Sequence, residues 1–99
     1  MIKFIQKFIE RFKYGYKIAE DCYLSALSKD ELVVLSGNHK VKIYMERLKG
    51  KPDRVLYLDE KRKWLPPHEN ESITEEQYQF IINAVAKHFE ELGEEVKVE

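Results

Sequence analysis

Apolar side chains recur with a helical period near both ends of the chain. Over residues 1–13 they return every three or four positions, and mostly basic side chains fill the positions between them. This pattern is typical of an amphipathic helix. Residues 74–92 repeat the same period, and the side chains predicted to be buried there are Tyr78, Ile81, Ile82, Val85, Phe89 and Leu92. The sequence therefore predicts one helix near each end of the chain.

The middle of the chain, residues 17–64, is instead rich in segments that fit β-strands. Segments 31–36 and 40–48 flank Gly37-Asn38-His39, and a Gly-Asn pair between two β-rich runs predicts a hairpin turn because both residues tolerate positive φ. In the second of these segments apolar and polar side chains alternate, which predicts that one face is buried. Segment 17–27 is ambiguous and fits one strand after a turn.

Two further short strands are predicted, over residues 54–59 and, after the last helix, over residues 94–98. We therefore predict an α+β fold in a single domain of residues 1–99. It consists of the N-terminal amphipathic helix, a small antiparallel sheet of four to five strands, the C-terminal helix packed on one face of that sheet, and the terminal strand.

A proline-rich segment, residues 65–73, joins the strands to the last helix. Pro66 and Pro67 lack backbone donors and favour an extended path, so we predict a stiff strut. Trp64 is predicted to be buried at the base of this strut, between sheet and helix. Beyond it, Thr74 fits the N-cap and Gln77 the third helical position of a capping box.

The far end of the strut carries His68, Glu69 and Glu71. One interpretation makes the segment a structural joint only. The other makes these three side chains a contact surface for a partner, because a rigid loop loses less entropy on binding. The two interpretations are compatible.

Phe80 is the unusual residue of the last helix, since it falls on the polar face near Glu76 and Glu91. A large aromatic side chain there needs a cover. Either the N-terminal helix covers it, or it is an aromatic contact residue for a partner, surrounded by acidic groups.

Charge is unevenly distributed along a chain whose net charge is only −1. Residues 1–17 hold five basic side chains and one acidic, whereas residues 69–99 hold nine glutamates and two lysines. Nucleic acid would require a continuous basic face, which is not evident, so no nucleic-acid partner is predicted. The acidic C-terminal third, including Glu76, Glu90 and Glu91, suits a basic protein partner instead.

Candidate catalytic chemistry is sparse. The three histidines show no metal-ligand spacing along the chain, Cys22 has no sequence-local group to activate it, and the glycines form no phosphate-binding loop. We therefore predict no catalytic residue, no cofactor, no metal site and no enzymatic activity. A single cysteine and the lack of a signal-peptide pattern predict a cytoplasmic location.

A second functional class remains open from residues 1–13. Basic side chains on one side of a helix and apolar side chains on the other also describe a helix that lies on a membrane surface. The alternative function is thus a small peripheral membrane-associated adaptor.

One stretch carries a family resemblance. The strand RVLYLDEKRKW, followed by PPHENE and the helix SITEEQYQFIINAVAKHF, resembles the immunity protein 74 family of bacterial polymorphic toxin systems. The resemblance runs over about residues 18–98, is sharpest over residues 64–71, and does not include the N-terminal helix. It implies a small cytoplasmic inhibitor that binds and neutralises a cognate secreted toxin. A basic toxin, such as a nuclease, would suit the acidic C-terminal third.

Overall fold

The computed structural model describes residues 15–99, which form a six-stranded sheet and one helix. The strands follow one another across the sheet in chain order, and the sheet curls into a half-barrel. The elements are β1 (Tyr16–Ala19), β2 (Cys22–Ser28), β3 (Glu31–Ser36), β4 (His39–Arg47), β5 (Arg54–Tyr57), α1 (Glu75–Glu91) and β6 (Val96–Val98). Strands β1 to β5 pair antiparallel, and β6 lies parallel to β5.

The predicted α+β fold with a sheet of four to five strands is wrong, because the sheet dominates the described residues. Segment 17–27 does not form one strand: β1 and β2 divide it, and a tight turn at Asp21, whose φ is 53°, separates them. The terminal strand joins the same sheet as its sixth member. The predicted N-terminal helix, residues 1–13, lies outside the described residues.

The hairpin predicted at Gly37-Asn38-His39 is confirmed. Ser36 and His39 face each other across the β3–β4 pair, so only two residues form the connection. Gly37 has a φ of 64°, a conformation that glycine adopts without the steric penalty of a Cβ atom. This turn places His39 at the first position of β4.

A row of buried side chains crosses the sheet and determines which face packs against the helix. Leu24 on β2 faces Val34 on β3, and Val34 faces Val41 on β4. Val41 in turn forms an isolated bridge with Trp64, which is 5% exposed. Trp64 therefore ends the row at the base of the loop that leads to α1, as the sequence predicts.

Helix α1 begins with the capping box expected from the sequence. The Gln77 backbone N–H donates to Thr74 Oγ1 at 3.1 Å, and the Thr74 backbone N–H donates to Gln77 Oε1 at 3.0 Å. The apolar face of the helix then packs into the core through Tyr78, Ile81, Ile82, Ala84, Val85, Ala86 and Phe89. Leu92, which was predicted to be buried, is 65% exposed, because the helix ends at Glu91 and the chain turns at Gly93.

Polar contacts fasten the C-terminal end of α1 to the sheet. Arg54 on β5 donates from Nε to Glu94 Oε1 at 2.6 Å, and its guanidinium lies 4.0 Å from the centroid of the Phe89 ring. Beside it, Asp53 Oδ2 accepts from the Glu95 backbone N–H at 2.6 Å and from Lys51 Nζ at 3.1 Å. These contacts hold the connection to β6 against β5.

Asp53 makes stability depend on pH in the acid range. The hydrogen bond from the Glu95 backbone N–H, followed by the bond from Lys51, lowers the pKa of Asp53 below its usual value. Its stabilising contribution is therefore present above about pH 4, the usual aspartate pKa, and is lost as pH falls through the lowered folded-state pKa. We expect Asp53→Asn to be less stable than the unmodified protein at pH 7 and to lose less on acidification.

Urea denaturation between pH 7 and pH 3 measures this difference. Asp30→Asn, in the β2–β3 turn, is the matched control and should follow the unmodified protein. Parallel pH profiles for the unmodified protein and Asp53→Asn would contradict the assignment.

Candidate functional site

The segment from β5 to α1 returns to the sheet before it reaches the helix. After β5 the chain leaves β4 and comes back at Trp64, which bridges Val41. Leu65 then donates its backbone N–H to the Lys40 carbonyl at 2.7 Å. Strand β3 pairs with one edge of β4, so Trp64 and Leu65 lie along the other edge, which pairs with β5 further along the strand. Residues 65–71 therefore start directly beside His39.

The proline-rich segment is not the extended strut that the sequence predicts. His68 donates its backbone N–H to the Leu65 carbonyl at 3.1 Å, and Glu71 donates to the His68 carbonyl at 3.0 Å, so two tight turns follow each other. Pro66 and Pro67 occupy the two central positions of the first turn, where no backbone N–H is needed. The prolines thus direct the chain back towards the sheet.

These turns bring together three side chains from distant positions, His39, His68 and Glu71, which we call the histidine–glutamate cluster. His39 Nε2 lies 3.1 Å from Glu71 Oε1, and His68 Nε2 lies 4.0 Å from Glu71 Oε2. One nitrogen of each ring and a carboxylate oxygen all lie within 4.8 Å of one another. His39 Nδ1, on the opposite side of its ring, lies 2.6 Å from Asn38 Oδ1.

The two imidazole rings are packed rather than extended into solvent. The two rings stack with their centroids 3.7 Å apart and an interplanar angle of 21°. The rings of His39 and Trp64 meet edge to face, with their centroids 5.0 Å apart. The side chains of His39 and His68 are 22% and 21% exposed, whereas that of Glu71 is 57% exposed. His68 is therefore largely covered, and Glu71 is the open side of the cluster.

His39 is the member that sequence reasoning missed. The sequence points to His68 and Glu71 through the proline-rich segment, but His39 lies 29 positions before His68 and no local spacing connects them. The link is the bridge between Val41 and Trp64, a tertiary pairing. The sequence predicts the hairpin turn beside His39 and the burial of Trp64, but neither prediction shows that Trp64 pairs with the strand that begins at His39.

The base of the loop is also attached to α1. The Asp59 backbone N–H donates to Tyr78 Oη at 2.9 Å, and the Arg62 guanidinium lies 4.2 Å from the centroid of the Tyr78 ring. Arg62 also forms an ion pair with Glu75 in the first turn of the helix. The loop is thus connected to the sheet through Trp64 and to the helix through Tyr78 and Glu75, which limits its freedom to move.

The remaining candidate side chains lie on exposed surface in two separate places. Glu69, next to the cluster, is exposed, as are Glu76 and Phe80 in the first part of α1, with Phe80 at 51%. Glu90 and Glu91 are exposed at the other end of the helix, about 21 Å along the helix axis from Glu76. The acidic residues therefore form two patches rather than one.

Comparison with known protein families identifies the class of the chain. The family model for immunity protein 74 matches residues 26–99, which contain most of the sheet, the loop with its cluster, and α1. The chain belongs to the immunity protein 74 family, so the resemblance noted in the sequence is confirmed. No curated protein and no solved structure is significantly similar to it. The helix found within residues 15–99 lacks the length and apolar character needed to span a bilayer.

Proposed function

We propose that this chain is a non-enzymatic, cytoplasmic immunity protein that binds a cognate protein toxin and neutralises it. The observation that carries the proposal is the family match over residues 26–99. The matched range includes the loop and the helix whose exposed side chains we assign to toxin contact. The membrane-adaptor alternative depends on residues 1–13, and no feature of residues 15–99 supports it.

The proposed contact surface combines the loop with the first turns of α1. Two side chains of the loop, Glu69 and Glu71, are exposed. Their backbone is held by one hydrogen bond to the sheet, from the Leu65 N–H, by two hydrogen bonds within the loop, and by the core position of Trp64. A segment that is already ordered loses less entropy when a partner binds. On the helix, Phe80 provides a half-exposed aromatic side chain, the residue type that often dominates binding energy at interfaces.

Exposed acidic side chains on this surface and at the far end of α1 support a basic partner, for example a nuclease toxin. Glu76, Glu90 and Glu91 are exposed and have no basic partner among the ion pairs of residues 15–99. Negative charges that no neighbouring cation offsets attract a basic protein and speed up its association.

Charge reversal tests whether the exposed glutamates of α1 attract the toxin. We expect Glu76→Lys combined with Glu90→Lys and Glu91→Lys to weaken toxin binding on the order of tenfold and to reduce its dependence on salt, because peripheral charges act mainly through long-range attraction. Isothermal titration calorimetry with the purified toxin domain, over a series of salt concentrations, measures both effects.

The control is Asp30→Lys, an exposed acidic position in the β2–β3 turn that is reversed in the same way. It should leave the affinity close to that of the unmodified protein. If the triple variant binds with unchanged affinity, the acidic helix surface has no part in toxin binding.

A further inference from the structure

We propose that the histidine–glutamate cluster is a binding site for a divalent transition-metal ion such as Zn²⁺, with His39, His68 and Glu71 as its protein ligands. The inference goes beyond toxin binding and does not depend on it. It rests on three observations: the contact made by the outer nitrogen of His39, the contact made by its inner nitrogen, and the ligand types that converge there.

The outer nitrogen of His39 has a defined role. Nδ1 lies 2.6 Å from Asn38 Oδ1, and in this orientation of the amide Nδ1 is the donor, because an amide oxygen can only accept. In a neutral imidazole the other nitrogen, Nε2, then carries the lone pair. The ring is thereby oriented with its lone pair directed at Glu71, and a hydrogen bond from the outer nitrogen is the arrangement that metal-binding histidines almost always have.

The inner nitrogen faces an acceptor. His39 Nε2 lies 3.1 Å from Glu71 Oε1, and an ionised carboxylate has only lone pairs to offer. Two lone pairs at this distance repel each other unless a positive charge lies between them. A metal ion between them would supply that charge, and His68 Nε2, 4.0 Å from the other carboxylate oxygen, lies close enough to bind the same ion.

The ligand set selects the kind of metal. Two imidazole nitrogens and one carboxylate suit Zn²⁺, Ni²⁺ and Cu²⁺, whereas Mg²⁺ and Ca²⁺ prefer oxygen ligands alone. Three protein ligands leave a further position of the metal open on the exposed side of Glu71, as in zinc sites that bind water or an additional ligand there.

Binding requires small movements of side chains. Ligand atoms around a tetrahedral Zn²⁺ lie about 3.3 Å apart, given bonds of about 2.0 Å, so atoms spread over 4.8 Å have to close in. The two rings, now 21° from parallel, must also rotate so that both lone pairs meet at one point. Glu71 is exposed, so its side chain can turn towards the rings, and rotation about the side-chain bonds of His39 and His68 can reorient the rings while the backbone stays in place.

The experiment uses the full chain without an affinity tag, freed of metal by dialysis against EDTA. Calorimetric titration with Zn²⁺ should saturate at one ion per chain, and Mg²⁺ should not compete. Ni²⁺ should quench the fluorescence of Trp64, the only tryptophan of the chain, because its ring packs against His39.

Substitutions locate the ion. We expect His39→Gln, His68→Gln and Glu71→Gln each to weaken Zn²⁺ binding by more than about tenfold, and Asn38→Ala to weaken it by about ten- to a hundredfold, the usual effect of removing a partner that orients a ligand. His88→Gln, at the third histidine, on α1 and outside the cluster, is the control and should bind as the unmodified protein does.

Failure of the unmodified protein to bind Zn²⁺ saturably would overturn the proposal, as would equal affinity in the cluster variants and the control. Loss of binding in His88→Gln alone would place the ion elsewhere and would also overturn it. Thermal unfolding in EDTA checks that each variant is folded. If a histidine variant fails to fold, Glu71→Gln still decides the question, because Glu71 is exposed and makes no core contact.

Discussion

Replacing Trp64 with alanine is expected to lower the free energy of unfolding by about 3–5 kcal/mol, the usual effect of truncating a buried tryptophan. Trp64 is 5% exposed and ends the buried row that runs through Leu24, Val34 and Val41. A small domain has only about 5–15 kcal/mol of stability in total. The substitution should therefore remove a large part of it.

The same change should also release the loop from the sheet. Trp64 supports the backbone bond from Leu65 to Lys40 and packs against the His39 ring. Urea denaturation followed by circular dichroism measures the loss, since the variant no longer has a tryptophan fluorescence signal. Trp64→Phe, which keeps an aromatic ring, should lose much less. If Trp64→Ala lowers the free energy of unfolding by less than about 1 kcal/mol, which is below the usual range for such truncations, the packing of the buried row does not depend on this side chain.

Replacing Phe80 with alanine is expected to weaken toxin binding by about 30- to 1,000-fold, which corresponds to about 2–4 kcal/mol for an aromatic residue at the centre of an interface. Phe80 is half exposed on a helix whose other large apolar side chains, apart from Leu92 at its end, are buried. Because it contributes little to the core, its loss should leave the free energy of unfolding nearly unchanged. Binding and unfolding are measured on the same preparation.

Leu27→Ala provides the matched control for Phe80. Leu27 is an exposed apolar side chain on β2, 57% exposed, outside the proposed contact surface. It should bind the toxin like the unmodified protein. A Phe80→Ala variant that loses stability but keeps its affinity would show that Phe80 is covered by another part of the domain, the alternative that its sequence pattern leaves open.

Two of the features that the sequence predicts correctly depend only on neighbouring residues. The hairpin at Gly37-Asn38 follows from two residues that tolerate positive φ between β-rich runs, and the structure contains it. The capping box follows from Thr74 and Gln77 at a fixed spacing, and both of its hydrogen bonds are present. In each case the determining contacts lie within four residues of chain.

The features that sequence reasoning missed depend on contacts between distant residues. The division of segment 17–27 into β1 and β2 requires a turn at Asp21 that contains no glycine or proline to mark it. The turns after Trp64 follow a bond from the Leu65 N–H to the Lys40 carbonyl, a contact between distant residues that the prolines alone do not predict. His39 joins the cluster for the same reason, and a spacing test along the chain cannot detect a site built in this way.

The most direct test of immunity is survival of a host that produces the toxin. The C-terminal domain of the protein encoded next to this chain is expressed in a tolerant host, alone and together with this chain, and surviving colonies are counted. We expect the toxin domain alone to kill, this chain to restore survival, and Phe80→Ala to restore it less well than Leu27→Ala. Killing that continues at full strength when the folded chain is present would contradict the proposed function.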